Sequence, residues 1–187
     1  MEIRNISKSF ADERVLDNVS LRIQKGERVV ISGPSGRGKT TLLRILMGLE
    51  KPDGGEIYDA SASFTAVFQE DRLPLEFSAL NCVKMTAPKS VTKAQIAQHL
   101  SELGLGEHMK KPVKELSGGM KRRVAICRAV ISGGDTVYMD EPFTGLDPDT
   151  KKNVVEYINK YCGGRTLVIV SHSAEDAKLL KAKEIRI

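Results

Sequence analysis

The tightest constraint in the sequence is a glycine-rich stretch, Gly33-Pro34-Ser35-Gly36-Arg37-Gly38-Lys39-Thr40-Thr41. It has the spacing G-x-x-x-x-G-K-[ST], with Gly33, Gly38, Lys39 and Thr40 in the fixed positions. Arg28 to Ser32 before it is an apolar run that reads as a buried strand. Thr40 to Met47 after it reads as the first turns of a helix. A strand–loop–helix unit of this kind makes a phosphate cradle. The glycines let the chain curl until successive N–H groups point inward, at the positive end of a helix dipole. Lys39 is then placed to reach β- and γ-phosphates, and the Thr40 hydroxyl to ligand Mg²⁺. The alternative, an ordinary Gly-rich turn, matches this pattern by chance in about a percent of cases or fewer, given average glycine usage. The stretch predicts a nucleoside triphosphate as ligand.

Composition narrows the setting. A chain of 187 residues is one domain, or one domain with an inserted subdomain, and can bury a substantial core. No run of about 18 apolar residues exists to span a membrane, and no apolar signal-peptide core opens the sequence, which reads as that of a cytosolic protein. Cys82, Cys127 and Cys162 are odd in number and lack C-x-x-C spacing, so they read as reduced thiols rather than disulfides or zinc ligands. The net charge is +5, but the basic residues are scattered, and a nucleic-acid partner is not expected.

In chain order, Glu2 to Ile6, Val15-Leu16 and Val19 to Ile23 read as strands, with a turn over Ala11 to Arg14. Phe10 sits just upstream of the cradle, where an aromatic can stack on a purine; from spacing alone it reads as hairpin packing. Past the first helix, Glu56 to Tyr58 and Ser63 to Phe68 give two more strands, the second followed by Gln69. From Glu70 to Ser132 the chain reads as helical. Thr92 and Gln95 have capping-box spacing, and Ile96, Leu100 and Leu103 share one helix face. Leu116-Ser117-Gly118-Gly119-Met120 places Ser117 as the N-cap of a further helix, whose start offers N–H groups to an anion.

Thr136 to Asp140 is an apolar strand that delivers Asp140 and then Glu141. A carboxylate at the end of a strand beside a phosphate cradle is placed to hold Mg²⁺, directly or through water. Glu141 is where a general base would polarise the attacking water. Asp147 reads as an N-cap with Pro148 in the first helical position. Thr166 to Val170 is a buried strand, and His172 lies just beyond it at the carboxyl edge where parallel sheets bind ligands.

The ordered set GPSGRGKTT, VFQ, LSGGM, VYMDEP, TGLD and SHS resembles, over the whole chain, the nucleotide-binding domain of ATP-binding cassette (ABC) proteins. The resemblance implies an α/β P-loop NTPase core with a mixed sheet flanked by helices, an N-terminal antiparallel β part and an inserted helical subdomain. The expected division is a core of residues 1–69 and 133–187 with a helical subdomain at 70–132. It implies ATP and Mg²⁺. Gly33 to Thr41 match the Walker A motif, and Gln69 the Q-loop glutamine near the metal and the attacking water. Ser117, Gly118 and Gly119 match the signature that binds the γ-phosphate of ATP held by the other subunit. Asp140 matches the Walker B aspartate, Glu141 the catalytic glutamate, Asp147 the D-loop aspartate and His172 the switch histidine. With the family in view, Phe10 resembles the adenine-stacking aromatic.

The implied partner is a second copy, or a similar ATPase, in a two-fold sandwich with two ATP molecules between the halves. Further implied partners are transmembrane permease subunits, met through a groove at Arg72 to Phe77, and an extracytoplasmic substrate-binding protein in an importer. The expected location is the inner face of the cell membrane. Met120 replaces the frequent signature Gln, and Arg37 is bulkier than the usual residue and reads as solvent-facing. VFQEDRL with LSGGMKRR looks most like importer ATPases of the nitrate, sulfonate and taurine type. Two other classes are weighed: an ABC ATPase of a non-transport membrane or assembly complex, and a soluble one of DNA repair, chromosome organisation or translation.

Overall fold

The structure is a computed structural model that describes residues 1–61 and 63–187. Its centre is a five-stranded parallel sheet in the order β5 (Phe64–Val67), β6 (Thr136–Asp140), β7 (Thr166–Ser171), β3 (Arg28–Ser32) and β8 (Lys183–Arg186). A three-stranded antiparallel sheet, β2 (Glu13–Arg22), β1 (Glu2–Phe10) and β4 (Gly54–Tyr58), lies apart from it. Parallel and antiparallel pairing are thus segregated into two sheets.

Every residue of β6 and β7 is buried, as expected of parallel strands covered on both faces. Their side chains alternate between two cores because successive residues of a strand point to opposite faces. Val137, Met139, Leu167 and Ile169 join one cluster, with α4 (Gly118–Ile131) and α5 (Pro148–Tyr161). Tyr138, Val168 and Val170 join the other, with α1 (Lys39–Leu46) and the antiparallel sheet. The Tyr138 hydroxyl, buried under that second layer, donates to the Leu46 carbonyl at 3.3 Å.

The first hairpin is longer than the sequence pattern suggests. β1 runs on to Phe10 and β2 is one strand, because Asn5 and Asn18, both at positive φ, absorb irregularities in register. Two side-chain bonds hold these bulges: Ser20 Oγ accepts the Asn5 N–H at 2.8 Å, and Ser7 Oγ accepts the Asn18 N–H at 3.1 Å. The turn shrinks to Ala11-Asp12.

Among the described residues, 70–132 carries helices and 3₁₀ turns with no strand longer than the Ser78–Pro112 bridge. α2 (Ala79–Lys84) and α3 (Lys93–Glu102) pack on α4. The Thr92–Gln95 capping box forms in both directions, at 2.8 and 3.2 Å. Ile96, Leu100 and Leu103 are buried against the first cluster, each side chain contributing about 1.5–3 kcal/mol. Cys82, Cys127 and Cys162 are free and buried in that cluster. No helix among the described residues is long and apolar enough to cross a membrane.

Candidate functional site

The glycine-rich loop leaves β3 at Ser32 and enters α1 at Lys39, and two of its glycines are fixed by close backbone approach. Gly38 has φ 76°, a left-handed conformation costly to side chains, and a Cβ there would lie 2.6 Å from the Val15 carbonyl. β2 therefore runs directly beneath the loop. A Cβ on Gly33 would lie 2.3 Å from the carbonyl of Ile187, just past β8. The loop is wedged between the two sheets with no room for a methyl group at either glycine.

Lys39 is only 5% exposed. Its Nζ donates to the carbonyls of Gly33 at 2.8 Å and Pro34 at 2.7 Å, so the ammonium is held over the loop. Thr40 Oγ1 donates to Asp140 Oδ1 at 3.2 Å, joining the start of α1 to the end of β6. Asp140 is 4% exposed, and burial raises its pKa against the opposing bond from Thr40.

Glu141, the residue after β6, has φ 48° and donates its N–H to the Val170 carbonyl at 3.0 Å. This turn swings its carboxylate away from the strand axis. One carboxylate oxygen lies against His172 Nε2, and the other accepts from Thr144 Oγ1 at 3.2 Å. The His172 loop is fixed from behind: Ser171 Oγ donates to buried Asp176, which also pairs with Lys151 on α5.

These side chains converge on one cleft of about 320 Å³. Lys39, Thr40, Thr41, Gln69, Glu141 and His172 line it, with Ser35, Gly36 and Gly38 as its floor and Val15 as its apolar wall. Gly33, Pro34 and the other side of His172 line an adjoining groove. Arg37 is exposed and faces the groove between β2 and β8 rather than the cleft.

The residues around Thr40 and Asp140 suit a small hard cation. A nearly buried carboxylate has one neutral hydroxyl as its hydrogen-bond partner, and Gln69 offers a further oxygen across the cleft. Among the described residues no group of three or more His, Cys, Asp or Glu side chains could hold a metal alone. A cation here would depend on its ligand's oxygens and water, the coordination habit of Mg²⁺ with phosphates.

Five further expected site residues, Phe10, Ser117, Gly118, Gly119 and Asp147, lie away from both the glycine-rich loop and the cleft. Phe10, at the end of β1, is 48% exposed, with Lys8 Nζ 5.2 Å from its ring centroid. Ser117 caps α4 by accepting the Met120 N–H at 3.3 Å. Gly118 faces open space, whereas a Cβ on Gly119 would lie 3.3 Å from Leu146, so the start of α4 abuts the segment leading into α5. Asp147 caps α5 through the Thr150 N–H at 2.9 Å, and such bonds hold its carboxyl below the usual range.

Sequence reasoning missed Val15 as a cleft wall and Arg122 as the support of the Gln69 backbone. Val15 lies in a strand and points to a site only through the tertiary approach of β2. Arg122 sits in a basic run, Lys121-Arg122-Arg123, that reads as a solvated surface. It is 8% exposed.

A family model described as ABC transporter matches residues 16–144. The aliphatic sulfonates import ATP-binding protein SsuB 1 of Rhizobium johnstonii is 37% identical, over 95% of this chain and 69% of that protein. The Nod factor export ATP-binding protein I of Cupriavidus metallidurans is 33% identical, over 96% of this chain. The chain spans 65% of the length of that second relative. Among solved structures, the dimeric bacterial ABC transporter cassette MJ0796 superposes with a TM-score of 0.85 at 27% identity, covering 99% of this chain and 94% of that one. The same cassette has also been solved as a dimer in a post-hydrolysis state bound to ADP and Pi. An importer and an exporter stand at comparable identity, so the likeness extends to ATP-binding proteins of both transport directions. With the sequence motifs in order on a matching fold, this chain belongs to the ABC transporter family.

Proposed function

We propose that the chain binds and hydrolyses ATP with Mg²⁺, and that it drives a transporter as one half of a two-fold ATPase dimer. The observation that carries this reading is the convergence of Lys39, Thr40, Gln69, Glu141 and His172, from four separate segments, on a single cleft beside buried Asp140. The matching cassette is dimeric and has been solved with hydrolysis products, which supports the same reading.

In this account the loop N–H groups and Lys39 bind the β- and γ-phosphates. Thr40, Asp140 and Gln69 would hold Mg²⁺, which when bound neutralises charge on the phosphate oxygens. Glu141 accepts the proton of the attacking water, and His172 orients the Glu141 carboxylate and faces the γ-phosphate. Phe10 stacks on adenine beside Val15.

Ser117 to Gly119 and Asp147 belong to the opposite nucleotide: they close over the ATP held by a second copy. An oligomer in which each copy completes the other's site is isologous, so two equivalent sites form or none does. ATP binding then closes the pair, and loss of the γ-phosphate opens it. Residues 70–132 act as the helical subdomain that passes this motion to permease subunits. Leu75 and Phe77, both exposed, are the contact expected for them on the cytoplasmic side of the membrane. An importer of the nitrate, sulfonate and taurine type, served by an extracytoplasmic binding protein, is the finer assignment and rests on the VFQEDRL and LSGGMKRR wording.

The direct test is phosphate release by the purified chain with ATP and Mg²⁺. Release that saturates with ATP and is lost in Glu141→Gln supports the reading. A chain that binds ATP and never releases phosphate, with or without permease, contradicts it.

A further inference from the structure

The segment that carries Gln69 is held by two arginines of α4. Arg122 Nη1 donates to the Phe68 carbonyl at 2.6 Å and Nη2 to the Gln69 carbonyl at 2.5 Å. Arg128 Nη2 donates to the Asp71 carbonyl at 3.4 Å and Nη1 to the Arg72 carbonyl at 3.1 Å. Four of the five carbonyls from Phe68 to Arg72 are thereby claimed by guanidinium groups of one helix. The planar, fixed fork of a guanidinium sends one nitrogen to each of two neighbouring carbonyls, which an ammonium meets only by sharing its single nitrogen between them.

The burial of Arg122 raises the stakes. At 8% exposure its charge has left water, a cost that only several well-made contacts offset. The Asp71 carboxylate lies 3.2 Å from Nη1. That contact is an ion pair without hydrogen-bond alignment, because Nη1 aims at Phe68. The segment is also bent to suit: Arg72 has φ 44°, and its guanidinium stacks 4.1 Å from the Phe68 ring centroid. These contacts fix the backbone on both sides of Gln69 while its side chain lines the cleft.

α4 carries a second functional end. Its first residues, with the Ser117 cap, are those proposed to close over the partner's ATP, and Arg122 lies just over one helical turn beyond them. We propose that Arg122, reinforced by Arg128, is a clamp that makes the Gln69 segment and the start of α4 one mechanical unit. A change in Gln69 over its own nucleotide is then transmitted to the surface offered to the other nucleotide. The arginines are positioning residues and touch neither nucleotide. The inference rests on the functional reading above.

The test uses the full chain with Arg122→Met and Arg122→Lys, and Arg128→Gln as a half-exposed variant should Arg122→Met fail to fold. Without nucleotide, Arg122→Met speeds amide exchange across residues 68–72 by about tenfold or more, with β6 unchanged. With ATP, nucleotide affinity of the monomer and KM stay within about twofold, while kcat falls about tenfold. In the Glu141→Gln background, the ATP concentration for half-maximal dimerisation rises by a similar factor. Arg122→Lys recovers part of each loss, and Arg128→Gln shifts each by about two- to threefold in the same direction. Unchanged exchange at 68–72 in a folded Arg122→Met protein overturns the clamp. So does a variant that is merely less stable, with full kcat in its folded fraction. Absence of an ATP-driven dimer in Glu141→Gln alone contradicts the functional reading instead, and leaves the exchange result to judge the clamp.

Discussion

Thr40 Oγ1 and Asp140 Oδ1 stand 3.2 Å apart, although 100 residues separate them in the chain. The contact joins the first turn of α1 to the last residue of β6, and it gives a buried carboxylate a neutral partner where a cation would suit it better. Asp140→Asn keeps the shape and the hydrogen bond to Thr40 but removes the charge. ATP turnover is expected to fall about 10²–10³-fold, with Mg²⁺ dependence shifted to higher concentration. A steady-state Mg²⁺ titration of both proteins checks this; equal curves would remove Asp140 from the metal site.

Lys39 holds its ammonium on the carbonyls of Gly33 and Pro34, within the loop it serves. Lys39→Ala leaves the backbone cradle intact and takes away its mobile positive charge. Triphosphate affinity is expected to weaken by about tenfold or more, with a smaller effect on the unfolding temperature. Calorimetric titration with ATP reads the first and thermal unfolding the second; unchanged affinity would sink the assignment of the loop.

Two loop glycines separate conformational strain from steric clash. Gly36 and Gly38 have nearly equal φ, 79° and 76°, but a Cβ on Gly36 meets nothing within 4 Å. On Gly38 it meets the Val15 carbonyl at 2.6 Å and Leu16 Cδ2 at 2.7 Å. Gly36→Ala is expected to cost about 1 kcal/mol, the strain alone, and Gly38→Ala roughly 2–3 kcal/mol more. Urea unfolding of the two variants gives the difference, and equal losses would mean that β2 does not confine the loop.

His99 makes stability pH-dependent away from the cleft. Its Nδ1 lies 2.9 Å from the Tyr157 hydroxyl, and its ring packs on Tyr157 and Tyr161, with Glu102 and Lys160 nearby. Burial lowers its pKa, outweighing the attraction of Glu102. A base whose folded pKa is depressed is stabilising when neutral. That contribution is complete above the ordinary value of 6.5 and is lost as pH falls through it toward the folded pKa. Thermal unfolding between pH 7.5 and about 5 is expected to fall in the native protein and to flatten in His99→Gln. Parallel curves would contradict the assignment.

Much of the cleft was legible because its chemistry sits in contiguous motifs. The loop Gly33 to Thr41 and the strand ending at Asp140-Glu141 each carry their own structural context, so their meeting follows from two parallel strands. The long β1–β2 hairpin was less legible: the sequence pattern ends the first strand at Ile6 and splits the second between Leu16 and Val19, whereas Asn5 and Asn18, at positive φ, sit in irregularities of register within continuous strands. Arg122 was not legible at all. A basic residue in a basic run is normally solvated, and only the return of Phe68 and Gln69 to the face of α4 turns it inward.

In the proposed function this cleft is half of a nucleotide site, and a second copy completes it. Light scattering of Glu141→Gln after size exclusion tests it most directly, with ATP, with ADP and with neither. Twice the monomer mass is expected with ATP only, and is lost when Gly119, whose added Cβ would meet Leu146 at 3.3 Å, is changed to Asp. A Glu141→Gln chain that binds ATP yet stays monomeric at every concentration would contradict it.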